Sequence, residues 1–303
     1  MSVIDSHHLL DVSLLLRGTE GTATLGRSTP VSVEIHAARR MRVTAVQFTL
    51  VHSLRLTQTH GHVYGGTFRA AERTSRDIGS ARIGTDTTLR EGESCYETSQ
   101  LIVPADAIPT IHGKLIISTW SVRVRVSTEG NEDVVRHHPL TVHSGGTAPD
   151  MAGGAGSRTD VDRGEHFEPS LRIAQLSTHS LHPGVELSGV AGVGEAKARA
   201  LTVSIVMQEE VMSWAGRRPQ QDRYPGEVLV EDTEVSEVRI PLTASSDPDI
   251  PFTLAVPAVP APTVKSPLLE VRWFLRAALD VPFRRDPEAV VPLVAGTLAT
   301  TRA

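Results

Sequence analysis

The segment Leu101-Ile-Val-Pro-Ala-Asp-Ala-Ile-Pro-Thr110 recurs in the second half of the chain as Leu254-Ala-Val-Pro-Ala-Val-Pro-Ala-Pro-Thr263. Each copy is followed by a tryptophan and a run of alternating residues, which begin at Trp120 and at Trp273. The offset is 153 residues for the two segments (254 − 101) and also for the two tryptophans (273 − 120). A constant offset across such a stretch indicates an internal duplication, so the two halves of the chain should share one fold.

Alternation typical of β-strands runs through both halves. Apolar and polar residues alternate with period two and β-branched residues are frequent, which predicts half-buried antiparallel strands. The clearest examples are Val31-Ser-Val-Glu-Ile-His36, Val43-Thr-Ala-Val-Gln-Phe-Thr-Leu50, Val122-Arg-Val-Arg-Val126 and Leu201-Thr-Val-Ser-Ile-Val206. The pattern allows a short helix only at residues 10–16 and 194–200. Many short strands separated by turn residues predict an all-β fold made of sandwiches.

The length and one unusual stretch set the predicted domain boundaries. A chain of 303 residues exceeds the size at which a single core usually stops growing, which favours two domains. Residues 144–166 are dense in glycine and poor in large apolar residues, a composition that predicts a flexible linker. We therefore expect an N-terminal sandwich over residues 8–143, the linker over residues 144–166, and a C-terminal sandwich over residues 167–296.

The order of motifs carries a resemblance to a known family. The second half opens with Leu181-His-Pro-Gly-Val-Glu-Leu-Ser-Gly-Val190, a Pro-Gly turn followed by a glycine at a bend, and each half closes on a Pro-Leu step, at Pro139-Leu140 and at Pro292-Leu293. With the duplicated proline segment and its tryptophan strand, this order resembles the arrestin-like superfamily over nearly the whole chain apart from the linker.

The resemblance implies two tandem immunoglobulin-like or arrestin-like antiparallel β-sandwiches, as in arrestins, the arrestin-like subunit of retromer and bacterial sporulation-control proteins. It implies binding rather than catalysis, and no functional residue is carried over from the family.

Composition excludes several classes of function. A formal net charge of -5 argues against nucleic-acid binding, which usually needs a basic excess. The single cysteine, Cys95, excludes an internal disulfide framework and is compatible with a reducing compartment. No run approaches the roughly 18 apolar residues that span a bilayer, and the N-terminus lacks the features of a signal peptide. We expect a cytoplasmic protein without a transmembrane segment, either free or peripheral at a membrane.

Motifs that carry chemistry are missing from the sequence. There is no Gly-x-Ser-x-Gly elbow, no His-Glu-x-x-His pair, and no glycine fingerprint between a strand and a helix. Histidine pairs such as His137-His138 are poor metal clamps, because adjacent residues of a strand point to opposite faces. The sequence therefore predicts no catalytic residue, no metal site and no cofactor.

Five residues are candidates for contact with a partner. Arg123 and Arg125 should project from one face of a strand, where they could bind acidic peptides, phosphates or anionic headgroups, although a solvated sheet face is the simpler interpretation. Trp214 lies in a predicted loop with Arg217 and Arg218, and an exposed loop tryptophan is a typical partner contact.

The predicted function is protein–protein interaction. We expect a non-enzymatic adaptor or scaffold that acts in trafficking or signalling and binds protein partners, including membrane-associated ones, but no nucleic acid. Edge strands and two tethered modules support this interpretation. The alternatives are a small-ligand-binding protein or enzyme with a site between the domains, or a structural subunit of a fixed complex. The sequence leaves the oligomeric state open.

Overall fold

The structure is a computed structural model, and it describes residues 10–15, 21–61, 67–144, 171–194, 198–212, 228–242, 247–258, 261–282 and 286–296. Within these ranges the chain forms eighteen β-strands and no helix. The linker predicted over residues 144–166 falls almost entirely outside the described residues.

Nine strands belong to each half of the chain. Those of the first half are β1 (Leu10–Leu15), β2 (Thr22–Thr24), β3 (Ser28–Ala37), β4 (Met41–Gly61), β5 (Thr67–Leu89), β6 (Ser94–Ile102), β7 (Ile111–His112), β8 (Ile116–Thr128) and β9 (Val134–His143). Those of the second half are β10 (Leu171–Ala174), β11 (Ser180–Leu181), β12 (Glu186–Val193), β13 (Ala200–Met212), β14 (Val228–Pro241), β15 (Asp249–Ala255), β16 (Val264–Lys265), β17 (Leu269–Asp280) and β18 (Glu288–Ala295).

Strand β1 corrects one expectation from the sequence. The short helix predicted over residues 10–16 is wrong, because Leu10–Leu15 is paired antiparallel with β3 at each of its residues. Pairing with a long neighbour satisfies the backbone hydrogen-bonding groups of this segment and outweighs the local pattern. The second predicted helix, over residues 194–200, includes residues 195–197, which lie outside the described ranges.

The first half is a sandwich of two sheets. Strands β1, β3 and β6 form a three-stranded sheet, and β2, β9, β8, β4 and β5 lie side by side in a larger one, in which β7 also pairs with β8. Inward-facing apolar residues of both sheets form one core, which includes Val33, Ile35, Phe48, Leu101, Trp120, Val122 and Leu140. Alternation places these residues inside and their polar neighbours outside, as expected for a sandwich.

The second half repeats this layout. Strands β10, β12 and β15 form the small sheet, and β11, β18, β17, β13 and β14 form the large one, with β16 paired to β17. The short parallel pair of β2 with β9 in the first half is matched by the parallel pair of β11 with β18. Buried residues from both sheets include Leu187, Phe252, Leu201, Ile205, Trp273 and Leu275. The predicted fold class, two tandem antiparallel β-sandwiches, is confirmed.

The tryptophans of the duplication have one structural role. The indole nitrogen Nε1 of Trp120 donates to the carbonyl oxygen of Ile108 at 2.9 Å, and Nε1 of Trp273 donates to that of Ala261 at 3.2 Å. Both tryptophans are buried and pack in the core of their sandwich. Since the two acceptors are also 153 residues apart (261 − 108), each indole ties the duplicated proline segment to the strand that follows it.

The threonines of the duplicated segment show the same equivalence. The hydroxyl oxygen of Thr110 accepts the amide of Val142 at 2.8 Å, and that of Thr263 accepts the amide of Ala295 at 2.9 Å. Each threonine amide in turn donates to the carbonyl of the same partner residue. In both halves the proline segment is therefore hydrogen-bonded to the last strand of its sandwich, so the sequence repeat corresponds to a repeated structural contact.

The chain divides into two compact units. The first comprises Met1–Arg55, Arg73–Ile111 and Ile117–Gly145, and the second comprises Leu56–Glu72, His112–Ile116 and Gly146–Ala303. Two short segments from the first half of the sequence thus belong to the second unit.

Candidate functional site

The two candidate arginines on β8 face solvent and are paired with carboxylates. Arg123 Nη2 lies 2.6 Å from Asp77 Oδ2, and Arg125 Nε lies 3.4 Å from Asp133 Oδ2. The burial pattern of β8 places both side chains on one face, as the alternation predicted. Because each guanidinium already meets a carboxylate, an anionic ligand would have to compete with an existing pair at either residue.

The other three candidates, Trp214, Arg217 and Arg218, lie outside the described residues. In the sequence they fall between Met212, the last residue of β13, and Val228, the first residue of β14. The structure describes these two strand ends, and it places an apolar surface there that the sequence did not predict.

Three large apolar side chains are exposed together at the end of β13 and β14. Met212 is 49% exposed, Val228 44% and Val230 43%. Met212 stands directly opposite Val228 in the antiparallel register, and Val230 follows Val228 by two positions and so shares its face. We call Met212, Val228 and Val230 the hairpin-end patch.

The register explains why these residues point outward. On β13, Met207 and Val211 face the core and are buried, so Met212 must face the other side of the sheet. On β14, buried Leu229 sits opposite Val211 and separates Val228 from Val230. The patch is therefore set by strand pairing, and no rotation of a single side chain would hide it.

A charged cluster borders the patch. Glu210 lies opposite Val230, and Arg272 Nη2 on β17 is 3.3 Å from Glu210 Oε2 and 2.5 Å from Glu270 Oε2. The hydrogen bond from Arg272, more than any other contact, holds the pKa of Glu270 below its usual value. An apolar centre with an ion-paired rim is the arrangement found in many protein interfaces.

Glu209, next to that rim residue, faces inward and anchors a turn. Its side chain is completely buried, and its carboxylate accepts the amides of Lys114, Leu115 and Ile116 at 2.7, 3.4 and 2.9 Å. A Cβ atom at Gly113 would lie only 1.9 Å from Glu209 Oε1, so this close approach requires glycine. The donated amides replace the water that the buried carboxylate has lost.

An open depression of about 420 Å³ lies beside this turn in the second unit. Its lining includes His112, Lys114, Met207, Glu234 and Pro257. Both charged side chains of this lining are in ion pairs, since Lys114 Nζ is 3.3 Å from Glu231 Oε1 and Glu234 pairs with Arg276. Within the described lining, each charged side chain is therefore paired with a residue outside the depression, and the two do not converge on a common point.

Packing explains the environments of His52 and Cys95, two side chains that could otherwise be reactive. The His52 ring stacks on Trp120 with centroids 4.3 Å apart, and its Nε2 is 2.9 Å from the Ser118 hydroxyl. Burial, and then the charge of Arg76, lowers the pKa of His52 to about 4. Burial also raises the pKa of the Cys95 thiol, the opposite of what a reactive thiolate needs.

The described part of the chain holds neither a cluster of metal ligands nor a helix that could cross a membrane. No group of three or more His, Cys, Asp or Glu side chains is placed to hold a metal ion there. None of the described residues forms a helix long and apolar enough to cross a membrane.

The molecule is thus a pair of antiparallel β-sandwiches, and of three comparisons with known proteins one gives a match. No protein-family model matches the sequence, and no curated protein matches it. Among solved structures it is similar to Spo0M, a sporulation control protein from Bacillus subtilis, at 10% sequence identity and a TM-score of 0.38. The match covers 75% of this chain and 91% of that chain. The assignment of two sandwiches rests on the sheets and cores described above.

Proposed function

We propose that the protein is a non-catalytic adaptor or scaffold that binds a protein partner through the hairpin-end patch. The observation that carries the proposal is the exposure of Met212, Val228 and Val230 side by side on one sheet face. Exposed apolar side chains are common when scattered singly, whereas a contiguous group with a polar rim is typical of an interaction site.

The patch can supply a useful part of a binding free energy. Full burial of one such side chain is worth about 1.5–3 kcal/mol, and each of these three is already about half buried. A partner that covers the patch would gain roughly 3 kcal/mol from it, which corresponds to about a hundredfold in Kd. This is the size of a hot-spot contribution rather than of a complete interface.

Next to the patch in the sequence lie residues of the types that are common in protein-binding hot spots. Trp214, Arg217 and Arg218 lie in the segment that connects Met212 to Val228, and tryptophan and arginine are the residues most enriched in hot spots. We keep the proposal that these three contact the partner. Arg123 and Arg125 are retained as weaker candidates, because their carboxylate partners must be displaced or shared.

The proposal includes two domains joined by a flexible linker over residues 144–166, acting in the cytoplasm or at a membrane surface in trafficking or signalling. Two tethered modules that engage one partner gain effective concentration from the tether. On this account, separated sandwiches should bind the partner far more weakly than the intact chain does, and equal affinities would remove the tethering argument.

The test is affinity purification of the tagged full-length chain from its native host, with the membrane fraction included and the captured proteins identified by mass spectrometry. The patch variant carries Met212→Gln, Val228→Thr and Val230→Thr, which keep side-chain size and strand propensity. A matched control carries Ile102→Thr and Val185→Thr, two exposed apolar residues elsewhere. A stoichiometric partner that is lost from the patch variant and retained by the control supports the proposal. Equal capture by all three chains contradicts it.

A further inference from the structure

The two large sheets carry opposite charge on their outward faces. In each sandwich one side of the large sheet packs on the core, and the other, which we call the outer face, points away from the small sheet. Strand alternation, cross-strand register and contacts to neighbours of known orientation assign each charged residue to one side. The faces are equivalent positions of the duplicated fold, so their charges can be compared directly.

The first outer face is basic. Within the described residues of the first unit, β4, β5 and β8 present six arginines and two aspartates on this face, a net charge of +4 (6 − 2). These residues are Arg42, Arg55, Arg73, Arg82, Arg123, Arg125, Asp77 and Asp86. Both aspartates are paired with an arginine of the same face. Two carboxylates just after β8, Glu129 and Asp133, also contact Arg42 and Arg125, and counting them leaves a net charge of +2 (6 − 4). The excess is therefore of guanidinium groups.

The second outer face is acidic. The described residues of β13, β14, β16, β17 and β18 present seven carboxylates and four cations on this face, a net charge of −3 (4 − 7). The carboxylates are Glu210, Asp232, Glu234, Glu237, Glu270, Asp280 and Glu288, and the cations are Arg239, Lys265, Arg272 and Arg276. Each of the three arginines is already paired with a carboxylate of this face. The excess is therefore of carboxylates.

Two copies of one chain can satisfy both excesses when the first outer face of one copy meets the second outer face of the other. Contact between two identical faces brings like charges together, which disfavours a twofold-symmetric dimer through either face. Contact between the first outer face of one copy and the second outer face of the next pairs arginines with carboxylates. Where one such contact forms between two copies, one face of each type stays open and association continues into a ring or a chain of copies. Where both contacts form, the pair of copies is closed.

The size of the faces sets the expected strength. Strands β8 and β17 have 13 and 12 residues, and at about 3.3 Å per residue each is roughly 40 Å long. Three strands span about 14 Å, so that one face offers roughly 600 Å². Two such faces bury about 1,200 Å², the lower limit for a specific interface. Together with exposed, salt-screened charges, this predicts reversible association that depends strongly on ionic strength.

We propose that a second copy of this chain is a partner of the protein, held head to tail by the basic first outer face and the acidic second outer face. The proposal rests on charges along the sheets and not on the side chains of Met212, Val228 and Val230, although the hairpin-end patch lies at one end of the same second outer face. The two are tested by different residues, since the reversals at Glu237 and Glu288 leave the patch unchanged and Glu237 lies opposite Ser204, eight positions from Met212 along β13 (212 − 204).

Sedimentation velocity of the purified full-length chain at about 100 µM tests the proposal, in about 50 mM and about 500 mM NaCl, between which the Debye length falls severalfold. The expected result is species larger than one chain at low salt and a monomer at high salt. A basic-face variant carries Arg73→Glu and Arg82→Glu, and an acidic-face variant carries Glu237→Lys and Glu288→Lys. A control, Arg27→Glu with Arg40→Glu, changes the same charge at exposed sites outside the strands of either outer face.

Mixing the two variants gives the decisive result. Each variant alone should be monomeric, with self-association weakened at least about tenfold. The control should associate like the original chain, apart from the effect of its more negative net charge. The mixture should form a complex of one copy of each variant, since each supplies the face that the other has lost. A monomer at low salt, association that salt leaves unchanged, or a mixture that stays monomeric overturns the proposal. If thermal melts show that a reversal unfolds the chain, Arg82→Gln and Glu237→Gln replace it and should each weaken association.

Discussion

Removal of the Glu209 carboxylate should destabilise the second unit strongly. The Glu209→Ala change leaves the amides of Lys114, Leu115 and Ile116 without their acceptor in a site from which solvent is excluded. An unsatisfied buried amide costs about 1–3 kcal/mol. The contact at 3.4 Å is weak, and water entering the vacated volume restores part of the loss. We expect a fall in the free energy of unfolding of about 3 kcal/mol.

The Gly113→Ala change tests the same site from the other side. The new Cβ would lie 1.9 Å from Oε1 of Glu209, so that the carboxylate or the turn must move and the amide contacts must lengthen. We expect a cost of about 2 kcal/mol or more when Glu209 is present. In the Glu209→Ala chain the three atoms nearest to that Cβ are gone, and the second change should then cost little. The Gly84→Ala control has nothing within 4 Å of its new Cβ and should be nearly neutral.

Urea unfolding followed by far-ultraviolet circular dichroism on all five chains provides the measurement, with the two units fitted as separate transitions where they separate. We expect the double variant to be less destabilised than the sum of the two single variants, by about the cost of Gly113→Ala alone. Additive effects would refute the claim that the glycine is required by the carboxylate. An unchanged midpoint for Glu209→Ala would refute the anchoring role altogether.

Two further predictions follow from the first unit and from the duplication. Because the native state resists protonation of His52, it binds fewer protons than the unfolded chain between pH 6.5 and about 4, so the free energy of unfolding should fall as the pH is lowered through that window. Allowing for the partial exposure of the ring, we expect the free energy of unfolding to fall by about 1–2 kcal/mol across this window. A His52→Phe variant should no longer show this fall, and an identical pH profile in both chains would contradict the prediction. Trp120→Phe and Trp273→Phe each remove some buried volume and one indole hydrogen bond to a backbone carbonyl. Each should lower the free energy of chemical unfolding by about 1–3 kcal/mol. A large loss at one position and none at the other would contradict their equivalence.

The duplication made the fold predictable from the sequence. The offset of 153 residues (273 − 120) pairs Trp120 with Trp273, and the structure gives both the same hydrogen bond. Alternation likewise predicted the outward direction of Arg123 and Arg125, because period two on a strand fixes the side on which a residue lies. These inferences succeed because they depend on sequence spacing alone.

Features that depend on register could not be predicted in the same way. Glu209 and Glu210 are adjacent and identical in type, yet Glu209 is fully buried and Glu210 lies on the outer face. The period of two through Leu201 and Val203 also puts Glu209 inward, but what its carboxylate meets there depends on the backbone turn that approaches it. A sequence does not reveal that turn, because Gly113 reads as an ordinary turn residue until the carboxylate beside it is placed.

The hairpin-end patch was missed for a related reason. Val228-Leu-Val230 reads as a strand with three apolar residues in a row, a pattern that does not say which of them are exposed. Only the register of β14 with β13 puts Leu229 inside and its two neighbours outside. The partner-binding residues expected from the sequence, Trp214 among them, were chosen for residue type and loop position, which are properties that need no register.

The central claim is that a partner covers the hairpin-end patch, and site-specific photo-crosslinking in the native host tests it most directly. A photoreactive phenylalanine analogue is placed at Val230 in one chain and, as a control, at exposed Val185 in another. The account predicts a discrete crosslinked product from position 230 that is absent from position 185. The same products from both positions, or none from position 230 under conditions in which other exposed positions do crosslink, would contradict it.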